Sequence, residues 1–148
     1  MIILNRTYTH VIENVGFGGL SFDIVCDILK DGRAFSHFIE PWIANNYPLV
    51  HISGCKSYDF EDKNDPRIKY DEKTFTKNGC KFMPSSMIGT GRKFNNEVFQ
   101  EKTKDLIFCI VSNINFPEIK IRFIKGETLL QSYPKGEIPF SDHIKLFE

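Results

Sequence analysis

A chain of 148 residues, 41% apolar and 14% aromatic, is not a disordered or low-complexity segment, and it is long enough for one domain (1–148) with its own core. No apolar run approaches the ~20 residues of a membrane-spanning helix, and Met1 to Arg6 is too short for the apolar stretch of a secretory signal. The net charge of zero hides an uneven distribution: residues 67–125 carry twelve Lys/Arg against six Asp/Glu, and residues 1–66 carry five against nine. The basic middle is what a phosphate backbone would feel.

The N-terminal segment Thr7-Tyr8-Thr9-His10-Val11-Ile12 reads as a short strand. Gly16-Phe17-Gly18-Gly19 lacks the GxGxxG spacing of a dinucleotide loop and reads as a turn before a helix. Ser21 is placed to cap that helix, which runs to Lys30 with Leu20, Ile24, Val25, Ile28 and Leu29 at helical spacing. A second helix starts near Ala34, with Phe35, Phe38, Ile39 and Trp42 on one face and Pro41 expected to kink or restart it. His37 and Glu40 are three residues apart and could share another face of it.

Leu49 to Ser53 reads as a strand, in which the single histidine, His51, is more simply a hydrogen-bonded residue than a ligand or general base. A charged stretch from Tyr58 to Lys73 follows, read as a hairpin turning at Asn64-Asp65-Pro66. Asn78-Gly79 is a turn, and the glycine- and hydroxyl-rich segment after it ends at Arg92-Lys93. Asn95 caps a helix to about Lys104. Leu106 to Val111 is a continuous apolar strand, and Ile119, Ile121 and Phe123 alternate with Lys120 and Arg122 in a strand with one wet face. The tail beyond Gly126 carries turns and few other signals. The order implies an α/β or α+β domain with a mixed central sheet and flanking helices.

The cysteines, Cys26, Cys55, Cys80 and Cys109, form no CxxC pair, which argues against structural zinc. Their apolar surroundings fit buried free thiols in a reducing cytoplasm.

With the hairpin centred on Asp65, position 59 lies opposite position 71, and opposed side chains share a face. Lys73, two residues on, points the same way. One face then carries Asp59, Asp71 and Lys73, and Glu72 points away. Opposed carboxylates repel each other unless they hold a cation, and hard oxygens in a partly open site suit Mg²⁺. Lys73 could orient or deprotonate an attacking water or stabilise charge on a phosphate. Glu61 lies on the Asp59 face as a rival upstream acid.

This arrangement resembles the PD-(D/E)xK nuclease superfamily, the fold of many type II restriction endonucleases. Asp59 stands for the upstream acid and Asp71-Glu72-Lys73 for the (D/E)xK element, with Tyr58 where the family has proline and Glu72 where it usually has an apolar residue. The resemblance covers about residues 20–125. It implies a restriction-endonuclease-like fold, Mg²⁺-dependent hydrolysis of DNA phosphodiesters, and a homodimer acting on double-stranded DNA. It also implies Glu40 as an additional metal ligand beside Asp59 and Asp71. The run from Phe82 to Lys93 is similar to restriction-enzyme sequence as well. There Ser85, Ser86, Arg92 and Lys93, with Lys77 and Lys81 nearby, are the expected nucleic-acid contacts. The alternatives are a nuclease of the same fold in repair, nicking or RNA cleavage, and a non-catalytic binding domain whose acidic hairpin is only solvated.

Overall fold

The computed structural model describes residues 1–54 and 57–148. Its framework is a mixed sheet of six strands flanked by helices. In chain order the strands are β1 (Thr7–Val11), β2 (Leu49–His51), β3 (Phe60–Asp62), β4 (Lys69–Phe75), β5 (Cys80–Lys81), β6 (Leu106–Ser112), β7 (Glu118–Lys125) and β8 (Glu137–Ile138). The large sheet runs β1-β7-β6-β4-β3-β2, and β5 pairs with β8 in a separate ribbon. Only β4 and β6 run parallel; the other neighbours in the large sheet are antiparallel.

The hydrophobic pattern explains this order. The central strand β6 is almost wholly apolar and is buried on both faces from Phe108 onward. Strand β7 alternates, with Ile119, Ile121 and Phe123 buried and Lys120 and Arg122 half-buried. Each face of the sheet covers its own core. On one face Tyr70, Cys109, Val111, Ile121 and Phe123 pack with Phe35, Ile39 and Ile43. On the other Phe75, Phe108, Ile110 and Ile124 pack with Phe82, Phe99, Leu129 and Phe147.

The helices are α1 (Phe22–Leu29), α2 (Gly32–Asn46), α3 (Asn96–Thr103), α4 (Gly126–Ser132) and α5 (His143–Leu146). Ser21 caps α1 by accepting from the Ile24 amide, Asp31 caps α2 by accepting from the Arg33 and Ala34 amides, and Asn95 caps α3 by accepting from the Val98 amide.

The structure corrects one expectation, at Pro41, and adds detail to two others, in α1 and in the tail. Helix α2 runs unbroken through Pro41. Pro41 is exposed, and so is His37, whose carbonyl would have bonded to the missing donor, so that oxygen can turn to water. In α1 the buried stripe is Val25 and Cys26 with Leu29 half-buried, whereas Ile24 and Ile28 are exposed. The helix is only two turns long and presents the Cys26 side to the core, so its apolar spacing overstates its burial. The tail is folded rather than featureless: α4, β8 and α5 close the second core, with Leu129, Ile138 and Phe147 buried.

Cys26, Cys80 and Cys109 are buried free thiols, and Cys55 lies outside the described residues. Among the described residues no helix is long and apolar enough to cross a membrane.

Candidate active site

The hairpin register is the one the sequence implies. Phe60 pairs with Tyr70 and Glu61 with Lys69, and Asp59 lies one residue past the end of this ladder, its amide donating to the Tyr70 carbonyl at 2.9 Å, where it lines the same cleft as Asp71. The two strands then part. Strand β4 stays paired with β6 along its whole length, but its named partners in β3 stop at Tyr70. The edge of β4 beyond that point needs another acceptor, and Asp59 supplies it: its Oδ2 accepts from the Glu72 amide at 2.7 Å. A carboxylate thus takes the place of a strand carbonyl where the hairpin opens.

Alternation along β4 separates its charged run. Asp71 and Lys73 share a face with Phe75 and sit beside Phe108 and Ile110 of β6. Glu72 lies on the other face, toward α2. Asp71 Oδ2 and Lys73 Nζ form an ion pair at 3.1 Å, with only 13% and 23% of these side chains exposed. Glu72 is 6% exposed and accepts from the Thr74 hydroxyl at 3.0 Å. Thr74 in turn lies 3.3 Å from the Ser36 hydroxyl of α2.

A cleft of about 470 Å³ opens over this base. Glu40, Asp59, Asp71, Glu72 and Lys73 line it on one side, and Ser85, Ser86, Lys102 and Thr103 also border it. Several half-buried or buried acids around one cleft perturb one another. Burial pushes the Asp71 carboxyl up to about 7, helped by the Asp59 charge and opposed by Lys73. Burial and the Glu40 charge raise Asp59, against the Glu72 amide that favours its charged form. Burial raises Glu72 to about 8, opposed by its Thr74 bond and reinforced by the Glu40 and Asp59 charges. Burial works against the Lys73 ammonium, but the charges of Asp71, Asp59 and Glu72 outweigh it and hold the group above its ordinary value.

Carboxylate oxygens are hard donors. Mg²⁺ takes one or two carboxylates and keeps waters in its remaining positions. The Asp59 charge raises the Asp71 carboxyl, and the Glu40 charge raises that of Asp59. Such a pair is relieved by a divalent ion as well as by a proton. Among the described residues no group of three or more His, Cys, Asp or Glu side chains is arranged as a metal cage.

The other sequence-derived candidates divide. Ser85 and Ser86 border the cleft, on a short 3-10 turn (Ser85–Met87). Arg92 is turned inward on its own loop: Nη1 donates to the Ser85 carbonyl at 2.6 Å and to the Ile88 carbonyl at 3.3 Å. Lys93 is exposed and is not among the residues that line the cleft. Lys81 lies 4.0 Å from Glu137 across the small ribbon, and Lys77 borders a separate hollow at the start of α2. Glu61 accepts from the Tyr58 hydroxyl at 2.8 Å and does not line the cleft. His51 is hydrogen-bonded, as the sequence reading favoured, and its partner is Glu40 Oε1 at 3.3 Å.

Glu72 and Lys102 were missed as cleft residues. The strand phase does set Glu72 apart from Asp71, but nothing local shows that α2 brings Glu40 over that face. Lys102 carries no local signal beyond its place in the last turn of α3. Comparison with protein-family models, with curated proteins and with solved structures gives no match.

Proposed function

We propose that this chain is a Mg²⁺-dependent endodeoxyribonuclease of the restriction-endonuclease kind, hydrolysing DNA phosphodiesters as a homodimer. One observation carries the reading. Where β3 and β4 part, Asp59, Asp71 and Lys73 border one cleft, with Asp59 accepting from the Glu72 amide at 2.7 Å and Lys73 3.1 Å from Asp71.

In this reading Asp59 and Asp71 would hold the ion, with Glu40, which lines the same cleft, as the further candidate ligand. Bound there, Mg²⁺ supplies positive charge at the phosphate oxygens and lowers the pKa of a bound water. Asp59 is fixed for its part by the Glu72 amide, which occupies one carboxylate oxygen and leaves the other for the cleft. Lys73 is held charged by its acidic neighbours, so its work is to orient the attacking water and to stabilise negative charge on the phosphate, not to act as a base.

The test is incubation of supercoiled plasmid with the protein and Mg²⁺ beside Asp71→Ala and Lys73→Ala. Discrete fragments from the unmodified protein, absent with EDTA and with either variant, are expected. DNA left intact across divalent metals and salt concentrations overturns the proposal.

A further inference from the structure

The cleft is lined by two unlike sets of residues, the acids and Lys73 from α2, β4 and the residue before β3, and a second wall of Ser85, Ser86 and Lys102 from the 3-10 turn and α3. Lys73, on the acidic wall, is committed to Asp71. Lys102, in the second set, forms no ion pair among the described residues, whereas Lys104 two residues on pairs with Glu101 at 3.1 Å. The Ser85 and Ser86 side chains stand exposed beside the same opening.

The fold presets this second wall. Arg92 bonds the Ser85 and Ile88 carbonyls and so closes the loop that presents the two serines. Gly89 and Gly91, with φ of 108° and 79°, allow the loop to double back for that contact. Lys102 is fixed by the end of α3. The Thr103 carbonyl packs so closely on Gly126 that a Cβ there would run into it, which locks α3 against the start of α4.

We infer that Ser85, Ser86 and Lys102 grip a backbone phosphate of the strand being cut, and that Arg92 is a clamp that shapes this wall rather than a phosphate ligand. A phosphodiester oxyanion is the chemistry that two hydroxyl donors and one unpaired ammonium recognise. The wall carries no base-reading fork, so it positions the strand without reading sequence. The proposal rests on the nuclease reading for the identity of the strand, and it reassigns the cationic contact from Arg92 and Lys93 to Lys102.

The test is binding of a fixed duplex DNA without metal, by fluorescence anisotropy over a range of salt, followed by hydrolysis kinetics in Mg²⁺. Lys102→Ala is compared with Ser85→Ala/Ser86→Ala and with Lys145→Ala, an exposed lysine of α5 away from the cleft. All variants are first checked for an unchanged melting curve. Lys102→Ala is expected to raise Kd about tenfold, the loss of one charge-assisted hydrogen bond. It should lower the slope of log K against log salt by about one. KM should rise with kcat retained, the serine pair should raise Kd less, and Lys145→Ala should change nothing. A Kd and KM unchanged in Lys102→Ala, or weakened as much in Lys145→Ala, overturns the wall and leaves any observed hydrolysis standing. A Lys102-dependent Kd without hydrolysis in any divalent metal supports the wall and overturns the nuclease reading. Absence of DNA binding by the unmodified protein overturns both.

Discussion

The two ends of one hairpin carry similar charges and use them in opposite ways. At the tip, Asp62 accepts from the amides of Asn64 and Asp65, and Asp65 pairs with the Arg67 guanidinium at 3.0 Å with the arginine side chain 90% exposed. At the base, Asp71 and Lys73 also pair, at 3.1 Å, but they are mostly buried beside two further carboxylates. The pKa shifts point in opposite directions: Arg67 pulls Asp65 below its ordinary value, and burial lifts Asp71 to about 7. An ion pair is therefore not a function by itself. What separates the two is desolvation and the company of like charge, which store a cost at the base that a cation or a proton can relieve.

The largest contrast is expected in catalysis. Lys73→Met should lower the rate of DNA hydrolysis by a factor of about 10² to 10³ through lost charge stabilisation, and Arg67→Met should leave it unchanged. Single-turnover cleavage under saturating Mg²⁺ measures both. Equal losses would break the comparison, because the tip would then share the chemistry.

The next contrast is in stability against pH. Asp71 and Glu72 have folded-state values of about 7 and about 8, above those of the unfolded chain. The folded state therefore binds more protons. The stability they contribute is fully present below about pH 4 and is lost as pH rises through 7 to 8. Metal-free protein should lose on the order of a few kcal/mol between pH 5 and pH 8 from these groups. Glu72→Gln should flatten that slope, and Mg²⁺ should raise the melting temperature more at pH 8 than at pH 5. Thermal melts across this range measure all three, and a flat or rising metal-free profile would contradict the buried-carboxylate account.

The smallest effect belongs to the tip. Asp65→Asn breaks a solvated pair, and the melting curve should stay where it was from pH 5 to pH 8. A clear destabilisation there would show the tip to be structural rather than merely solvated.

The sequence made the hairpin legible because strand alternation is local: a turn centred on Asp65 is enough to set Asp59 against Asp71. The caps at Ser21 and Asn95 and the apolar run of β6 are local signals too, and they placed helices α1 and α3 and the central strand. What could not be read depends on contacts distant in sequence. Glu72 becomes a buried acid only because α2 carries Glu40 over its face. Lys102 reaches the cleft because Gly126, more than twenty residues on, lets α4 close on α3. Arg92 reads as a phosphate ligand by residue type, and only the fold of its loop turns it onto Ser85. Pro41 misleads for a related reason: the cost of a proline in a helix depends on whether the orphaned carbonyl can reach water, which a sequence does not state.

Under the proposed function, the base of the hairpin, and not its tip, performs metal-dependent chemistry. Its most direct test is Mg²⁺-dependent plasmid cleavage by Asp71→Asn and Asp65→Asn side by side, with both proteins shown to be folded. Loss of cleavage in Asp71→Asn with full activity in Asp65→Asn is the result predicted here; full activity in Asp71→Asn would contradict the account.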